Sequence, residues 1–171
     1  MSTHQANFLF TISIKTIFMQ LTWIYKPFNE LTTLELYAIL QLRNEVFVVE
    51  QNCVYPDIDY KDLKSFHLMA FEGDVLVAYS RILPSGVSFE EASIGRVITK
   101  SSHRGKGIGI TLLEKSIEAC SATFGSLSIK IGAQLYLKKF YESFGFAQTS
   151  DVYLEDGIEH IDMLLEAGNR K

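Results

Sequence analysis

The chain has 171 residues and a formal net charge of −4, with 47% hydrophobic and 21% charged residues. This length favours one domain that is large enough to bury a core, and the composition is that of an ordinary globular protein. The negative balance argues against a nucleic-acid binder that relies on a basic face. The two cysteines, Cys53 and Cys120, have no metal-ligand spacing, so we expect two reduced thiols in a cytoplasmic protein.

The N-terminal residues 1–18 do not match a secretory signal peptide. No Lys or Arg precedes their apolar run, Lys15 interrupts it, and no small-residue cleavage site follows. The run is also too short to span a bilayer. We therefore predict an extension at 1–18 that is disordered or not native, with Met19 as a hypothetical start. A domain at 19–166 and a tail at 167–171 follow.

Hydrophobic periodicity predicts strands and helices along the remaining chain. In chain order we expect strand 20–25, helix 31–49, strands 65–72, 75–83 and 92–99, a helix after the glycine-rich stretch 101–109, strand 125–132, helix 133–144, and strands 146–155 and 159–165. This order predicts an α/β fold in a single domain, with a mixed, mostly antiparallel central sheet flanked by helices.

Turn residues and apolar spacing support several of these elements. Gly73-Asp74 and Asp156-Gly157 separate apolar runs and predict β-hairpins, since Asp-Gly is the strongest short hairpin signal. Each helix is predicted to bury one apolar stripe. The stripes are Leu36, Leu40 and Phe47 with Arg43 among them; Ile110, Leu113, Ile117 and Cys120; and Leu137, Phe140, Tyr141 and Phe144.

The stretch at 101–109 reads "SSHRGKGIG" and places glycines at alternate positions directly before a predicted helix. A helix start offers unpaired backbone N–H groups and the positive end of the helix dipole, and glycine lets an anion approach the backbone. Two cations among the glycines add positive charge. The stretch therefore predicts a diphosphate site, with a flexible turn and solvated cations as the alternative. Its spacing fits neither the dinucleotide fingerprint nor the P-loop.

Two segments resemble the signatures of a known enzyme family. Segment 97–113, "VITKSSHRGKGIGITLL", is similar to the R-x-x-G-x-G/A signature of the GCN5-related N-acetyltransferases (GNAT). Segment 132–146, "GAQLYLKKFYESFGF", is similar to the second signature of that family. Within the family the chain resembles the ElaA-type proteins more closely still, through further stretches that include "LQLRNEVFVVEQNCVYPDIDYKD" and "YLEDGIEHIDM". The resemblance runs from about residue 20 to residue 165.

The resemblance implies that acetyl-CoA lies in a wedge where the third long strand splays from a parallel neighbour. It assigns the CoA diphosphate to backbone N–H groups of Arg104, Gly105, Lys106, Gly107, Ile108 and Gly109. It assigns the pantetheine arm to the main chain of Val97, Ile98 and Thr99, as an added strand would pair. The N–H of Val97 or of its neighbour would stabilise the oxyanion of the reaction. No metal is implied.

By its position in the family pattern, Tyr141 is implied as the general acid that protonates the departing thiolate. A phenol with a pKa of about 10 is a weaker acid than a thiol with a pKa of about 8.5, so proton transfer from Tyr141 to the thiolate is unfavourable. The alternative role for Tyr141 is to donate a hydrogen bond to the sulfur without transferring its proton. Tyr141 also lies on the apolar stripe of its own helix. A buried core tyrosine is therefore the alternative.

The acceptor side needs a base, because free amines are mostly protonated at neutral pH. The candidates are Glu50, His67 and His160. Glu50 ends the first helix and has a solvated carboxylate as its alternative, whereas His67 has apolar neighbours and suits the core. His160 lies beyond the Asp-Gly turn, where it reaches the cleft or merely covers it. We predict Glu50 as a catalytic residue and His160 as a substrate-binding residue.

Three arginines lie among apolar residues: Arg43, Arg81 and Arg96. Because arginine is rarely buried without a partner, ion pairs with Asp57, Asp59 or Glu50 are one explanation. The other is that one or two arginines face the cleft and bind a carboxylate or phosphate of the acceptor. That explanation predicts a small amine with an anionic group. A calcium site in the acidic loop is rejected, because Lys61 and Asp62 stand where a ligand and a glycine are required.

The leading hypothesis is a cytoplasmic, acetyl-CoA-dependent N-acetyltransferase that acts on a primary amine by direct attack in a ternary complex. A non-catalytic acetyl-CoA-binding sensor or interaction module is the alternative. An acyl-homoserine lactone synthase is a third hypothesis, since those enzymes share an R-x-x-V-F element, found here at 43–47. We expect acetyl-CoA and an amine as partners, no nucleic acid or membrane, and a monomer or homodimer.

Overall fold

The structure, a computed structural model, describes residues 20–125 and 128–168. The predicted extension 1–18 and the Met19 start lie outside the described residues, as do residues 169–171 of the tail. The elements are β1 Thr22–Pro27, α1 Thr33–Arg43 with a π-helical continuation Asn44–Glu50, β2 Phe66–Glu72, β3 Val75–Leu83, β4 Ala92–Thr99, α2 Ile108–Phe124, β5 Ile129–Gln134, α3 Lys138–Glu142, β6 Ala147–Gln148, β7 Tyr153–Glu155 and β8 Ile158–Leu165. Among the described residues, no helix is long and apolar enough to cross a membrane.

A single twisted sheet organises the chain in the order β1-β2-β3-β4-β5-β8-β6, and β7 also pairs with β8. Every neighbouring pair is antiparallel except β4 and β5, which are parallel. The predicted mixed, mostly antiparallel sheet is therefore confirmed. β4 and β5 pair only through Ala92 with Ile129 and Ser93 with Lys130. Beyond these two pairs the strands part, and this opening positions the candidate site.

Helices cover the two faces of the sheet. On one face α2 packs against β2, β3 and β4, and its buried side chains are Ile108, Leu112, Leu113, Ser116 and Cys120. On the other face α1 packs against β3 through Ile39 and Leu42. Strand side chains alternate between these two layers, as the pleat requires.

The predicted stripe of α2 is wrong at one position. Ile110 is 51% exposed, although Leu113 and Cys120 are buried as expected. The helix begins at Ile108, so the face toward the sheet follows the spacing of Ile108, Leu112 and Ser116. Ile110 instead lines a groove between α2 and α3.

The first helix begins with a capping box, in which Thr32 and Glu35 exchange hydrogen bonds between side chain and backbone. After Arg43 the turns widen, and Gln51 N–H donates to the carbonyl of Val46, five residues back, at 3.3 Å. The wider turn rotates the buried face relative to a regular helix. Of the predicted stripe, Arg43 is fully buried, whereas Leu36, Leu40 and Phe47 are only partly buried. The other fully buried positions are Ile39, Leu42 and Val46.

Two predicted elements near the C-terminus are too long. Helix 133–144 shrinks to α3 and a preceding 3₁₀ turn, because Ala133 and Gln134 continue β5 by pairing with β8. Strand 146–155 is divided into β6 and β7, since the Ser150 hydroxyl accepts the backbone N–H of Asp162 at 2.8 Å. The predicted turn at 156–157 is confirmed: both residues adopt positive φ, as an Asp-Gly hairpin turn requires.

Candidate active site

β4 contains a bulge at the point where it leaves β5. Ile98 pairs with Tyr79 and Gly95 with Arg81, so two residues of β4 oppose the single residue between those partners. The first of these two, Arg96, has a φ of 52°, in the left-handed region. A bulge leaves the extra residue outside the ladder of hydrogen bonds. The predicted oxyanion donor, Val97, is the second residue of this bulge.

The glycine-rich stretch forms the connection from β4 to α2. Gly105 and Gly107 adopt φ values of 73° and 79°, which residues with a Cβ rarely tolerate. Gly107 precedes the helix and no side chain caps it. Within 20–125 and 128–168, the N–H groups of residues 105–109 donate to no other residue. A Cβ built on Gly105 or Gly107 would meet nothing within 4 Å, so open space lies beside these two glycines.

A bidentate ion pair holds the cation at the start of this connection. The Arg104 guanidinium contacts both carboxylate oxygens of Glu50, with Nη2 at 3.0 Å from Oε2. Its Nε donates to the carbonyl of Thr99 at 3.0 Å. The π-helical end of the first helix is therefore tied to the glycine-rich connection. Glu50 lies at this connection and does not line the cavity between β4 and β5.

A cavity of about 370 Å³ fills the opening between β4 and β5. Its walls include Gly95, Arg96 and Val97 of β4, Gly132 and Gln134 of β5, Tyr141 of α3 and His160 of β8. The loop after the first helix and the turn between β7 and β8 close it, and the thiol of Cys53 donates to the carbonyl of Asp156 at 3.4 Å across this closure. The structure thus brings together four predicted site residues: Arg96, Val97, Tyr141 and His160.

Tyr141 belongs both to the core and to the cavity wall. Its side chain is 7% exposed and packs edge-on against Phe140 and Phe146. Burial, with a smaller effect of Tyr136, raises the pKa of the Tyr141 hydroxyl above its ordinary value. The hydroxyl therefore stays protonated at neutral pH. Among the described residues it has no hydrogen-bond partner, so its proton is available to a molecule in the cavity.

Arg43, Arg81 and Arg96 form one ion-pair network with three aspartates of the acidic loop, on the α1 face: Asp57, Asp59 and Asp62. Arg43, with 0% exposure, donates to Asp57 Oδ2 at 2.8 Å and to Asp62 Oδ1 at 2.7 Å. It also donates to the carbonyl of Asp57 at 2.8 Å. Its three nitrogens are therefore engaged within the protein. Of the two explanations for the arginines, Arg43 therefore fits ion pairs with aspartates and not the binding of an acceptor.

Arg81 and Arg96 extend the same network toward the cavity. Arg81 contacts both carboxylate oxygens of Asp59, at 2.7 and 2.8 Å. Arg96 donates to Asp57 Oδ1 at 2.7 Å, and its guanidinium lies over the Phe47 ring. Arg81 is buried, whereas the Arg96 side chain keeps 23% exposure and lines the cavity. Of the three arginines, Arg96 is the one placed to meet a ligand.

The neighbouring arginines keep Asp57 and Asp59 ionised. Burial alone would raise the pKa of Asp59, but its ion pair with Arg81 outweighs burial and lowers it to about 2. Burial would also raise the pKa of Asp57, but Arg43 and Arg96 together outweigh burial and lower it. Three positive and three negative side chains leave the network close to neutral, as a buried set of charges requires.

His67 is a fully buried member of this layer, in agreement with its assignment to the core. Its Nε2 lies 3.2 Å from the carbonyl of Asp62, which can only accept, so Nε2 carries the hydrogen. Its Nδ1 then accepts from the Tyr79 hydroxyl at 2.8 Å. Burial lowers the pKa of His67, so the ring is neutral at pH 7. Both nitrogens are occupied, and His67 does not line the cavity.

Several cavity residues were not singled out from the sequence. Gln51 and Gln134 both line the cavity, and the Gln134 amide donates a hydrogen bond of 3.2 Å to the Gln51 carbonyl oxygen. Glu155 and Asp156 lie at its rim. Nothing in the sequence around these residues indicated a site, because the shape of the loops determines which side chains reach the cavity.

Comparisons with known proteins agree with this geometry. The family profile described as Acetyltransferase (GNAT) domain matches residues 36–167. Protein ElaA of Escherichia coli (strain K12) is 47% identical over 140 residues, which cover 81% of this chain and 92% of that protein. The crystal structure of Escherichia coli ElaA has a TM-score of 0.82 at 44% identity, over 86% of this chain and 100% of that chain.

An acyl-CoA N-acyltransferase from Pseudomonas aeruginosa also has a TM-score of 0.82, at 41% identity, and covers 85% of this chain and 99% of its own. A CoA-dependent acyl-homoserine lactone synthase has a TM-score of 0.62 at 17% identity, which shows a shared fold alone. The family match spans most of the described chain and the relatives are well above 30% identical. The chain therefore belongs to the GNAT acetyltransferase family of acyl-CoA-dependent enzymes and is an ElaA-like member of it.

Proposed function

We propose that this protein is an N-acetyltransferase that moves the acetyl group of acetyl-CoA to a primary amine by direct attack in a ternary complex. One observation carries the proposal. The cavity between the parting strands β4 and β5 joins, in one space, the β4 bulge, the buried Tyr141 hydroxyl and a wall of polar side chains. A donor thioester and an acceptor amine both need such a space.

The donor would be held by the main chain. The N–H groups of residues 105–109 would bind the CoA diphosphate, since they are unpaired and open space lies beside Gly105 and Gly107. The predicted N–H of Arg104 instead donates to the carbonyl of Ser101 at 3.3 Å. Arg104 and Lys106 would add charge, and the main chain of residues 97–99 would pair with the pantetheine amides. In this arrangement Glu50 positions Arg104 through their ion pair. We therefore propose a donor-side role for Glu50.

The reaction would use groups that line the cavity. The amine nitrogen attacks the thioester carbonyl carbon, and the N–H of Val97 or its neighbour stabilises the oxyanion. The carbon–sulfur bond then breaks. Because burial raises the pKa of Tyr141, full transfer of its proton to the thiolate is disfavoured. We propose that Tyr141 donates a hydrogen bond to the departing sulfur, whose proton comes from the attacking nitrogen or from solvent.

Arg96 supports a negatively charged group on the acceptor. Arg43 and Arg81 are buried and occupied by aspartates, so an anionic group on the acceptor would contact Arg96. Lys61 is the second cation of the cavity wall. This assignment keeps a small amine with an anionic group as the proposed acceptor. Arg96→Ala should raise the acceptor KM and leave the affinity for acetyl-CoA unchanged.

Calorimetry with acetyl-CoA, CoA and NADH tests the donor site first. Micromolar binding of acetyl-CoA without binding of NADH supports the proposal, and absence of acetyl-CoA binding contradicts it. Release of free thiol with a panel of amines then separates an enzyme from a non-catalytic binding module. Tyr141→Phe should slow thiol release at unchanged acetyl-CoA affinity. Tyr37→Phe, on the exposed side of α1, is the matched control.

A further inference from the structure

We propose that His160 is the base that takes the proton of the acceptor ammonium, through its Nε2 atom. The inference rests on the proposed function and adds the residue that this function still lacks. An acyl acceptor must be a free amine at the moment of attack, and at neutral pH most primary amines are ammonium ions. The protein therefore has to remove one proton inside or beside the cavity.

The hydrogen bond of His160 fixes which nitrogen is free. Nδ1 lies 2.9 Å from the backbone carbonyl of Ile158, two residues back on β8. A carbonyl oxygen only accepts, so Nδ1 carries the hydrogen and the neutral ring has its lone pair on Nε2. No other described residue lies within hydrogen-bond distance of Nε2. The same Nδ1–H bond persists in the imidazolium, so the ring keeps its orientation after it takes up a proton.

The surroundings of His160 place it with the reacting groups. The imidazole lines the cavity that Val97 and Tyr141 also line, and it stacks on Tyr153 with centroids 6.0 Å apart. Charged residues of the cavity wall come from three other segments: Asp59 and Lys61 from the acidic loop, Arg96 from β4, and Glu155 and Asp156 from the β7–β8 turn. The other titratable groups in the wall are Cys53, Tyr55 and Tyr141.

The structure separates His160 from the two other base candidates. Glu50 lies outside the cavity wall, and Arg104 contacts both of its oxygens. His67 is fully buried, and both of its nitrogens are hydrogen-bonded. His160 alone among these three lines the cavity with a nitrogen lone pair that is not engaged. His160 is therefore the candidate base that the geometry favours.

The proton balance of the step is complete without a further reactant. His160 Nε2 takes one proton from R–NH₃⁺, which leaves R–NH₂ to form the new carbon–nitrogen bond. When the carbon–sulfur bond breaks, the second proton of the attacking nitrogen goes to the thiolate, directly or through solvent, and gives CoA–SH. The imidazolium then returns the first proton to solvent. The products are the amide, CoA–SH and one H⁺.

Two amines of similar size test the assignment: ethylamine, which is protonated at pH 7, and 2,2,2-trifluoroethylamine, whose fluorines keep its nitrogen neutral. His160→Gln should lower kcat/KM for ethylamine by about 10²-fold, the usual range for a lost general base. With trifluoroethylamine the variant should match the wild type within about twofold, since no ammonium proton needs removal. In the variant, kcat/KM for ethylamine should rise with pH in proportion to the fraction of free amine, because only that form can then react. Glu159→Gln, the neighbour on the opposite face of β8, is the control.

Each other outcome overturns the assignment. No loss with ethylamine, or equal losses with both amines, means that His160 is not the base, while thiol release by the wild type still upholds the proposed function. Acetyl-CoA binding without thiol release from these two amines or from any amine of the panel, those with an anionic group included, overturns the proposed function, and this inference with it. If His160→Gln does not bind acetyl-CoA, His160→Asn takes its place. Independently of activity, nitrogen-15 NMR of the wild type should show His160 protonated at Nδ1, and protonation at Nε2 would contradict the assignment.

Discussion

Replacement of Arg43 by methionine should destabilise the protein by about 3–5 kcal/mol, the usual loss when one partner of a buried ion pair is removed. The structure supports the upper part of this range. Arg43 has 0% exposure and donates three hydrogen bonds of 2.7 to 2.8 Å to Asp57 and Asp62. Without its guanidinium, the network keeps three carboxylates and two cations, so one negative charge is buried without compensation.

Urea denaturation measures this loss through the single tryptophan, Trp23, and through circular dichroism in parallel. The midpoint should fall at unchanged m-value, because methionine has a similar volume and the same surface is exposed on unfolding. Lys26→Met is the matched control, since its ion pair with Glu35 is half-exposed and is worth about 1 kcal/mol or less. A double variant with Asp62→Asn should recover part of the loss, since it removes the uncompensated charge.

The reasoning fails if Arg43→Met and the Lys26 control lose the same stability. In that case the network would be solvated in solution, and its aspartates would need no partner. It also fails if Asp62→Asn adds its own full cost to that of Arg43→Met, because additive losses mean that the two residues do not interact.

Three further predictions follow from other parts of the molecule. First, stability should fall as the pH drops below about 6.5, the pKa of histidine in the unfolded chain. Burial lowers the pKa of His67 in the folded protein, so the unfolded chain takes up the proton first. Denaturation at pH 7.5 and 5.5 measures this loss of stability, which should be smaller in His67→Gln. Below about 3.8 a second loss should begin and continue toward the folded pKa of Asp59, about 2. Second, Tyr141→Phe should lower kcat by about 10–100-fold with acetyl-CoA affinity unchanged in calorimetry, and an unchanged kcat would leave the hydroxyl a packing role alone. Third, Gly107→Ala should weaken acetyl-CoA binding by about tenfold, because an alanine at this positive φ costs about 1–2 kcal/mol. The control is Gly86→Ala, at a similar φ in a remote loop, which should lose similar stability and bind acetyl-CoA as the wild type does.

Local chemistry made the central part of the fold predictable. The turn at 156–157 and the strand, glycine-rich connection and helix at 92–124 depend on residue types at fixed spacing, and the structure has them where expected. The boundary of α3 was not predictable, because Ala133 and Gln134 are claimed by pairing with β8, which lies far along the chain. The exposure of Ile110 depends similarly on where α2 begins.

The site was predictable in kind more than in detail. The spacing of glycines indicated an anion site, and ion pairs were an open explanation for the buried arginines. Which aspartate meets which arginine depends on how the acidic loop folds back over β3, and no spacing encodes this. The sequence favoured Glu50 over His160 as a catalytic residue. The structure instead places Glu50 beside Arg104 and His160 in the cavity wall, a difference that no residue spacing encodes.

The π-helical end of the first helix has a thermodynamic consequence. Its last residue, Glu50, contacts Arg104 of the glycine-rich connection, while Arg43, at the end of α1 directly before this segment, binds Asp57 and through it Arg96 in the cavity. The short stretch 43–50 therefore connects the proposed donor and acceptor sites. If donor binding draws Arg104 away from Glu50, the free energy of that change is shared with the acceptor site. Linkage then requires that the acceptor alter the affinity for acetyl-CoA by the same factor by which acetyl-CoA alters the affinity for the acceptor.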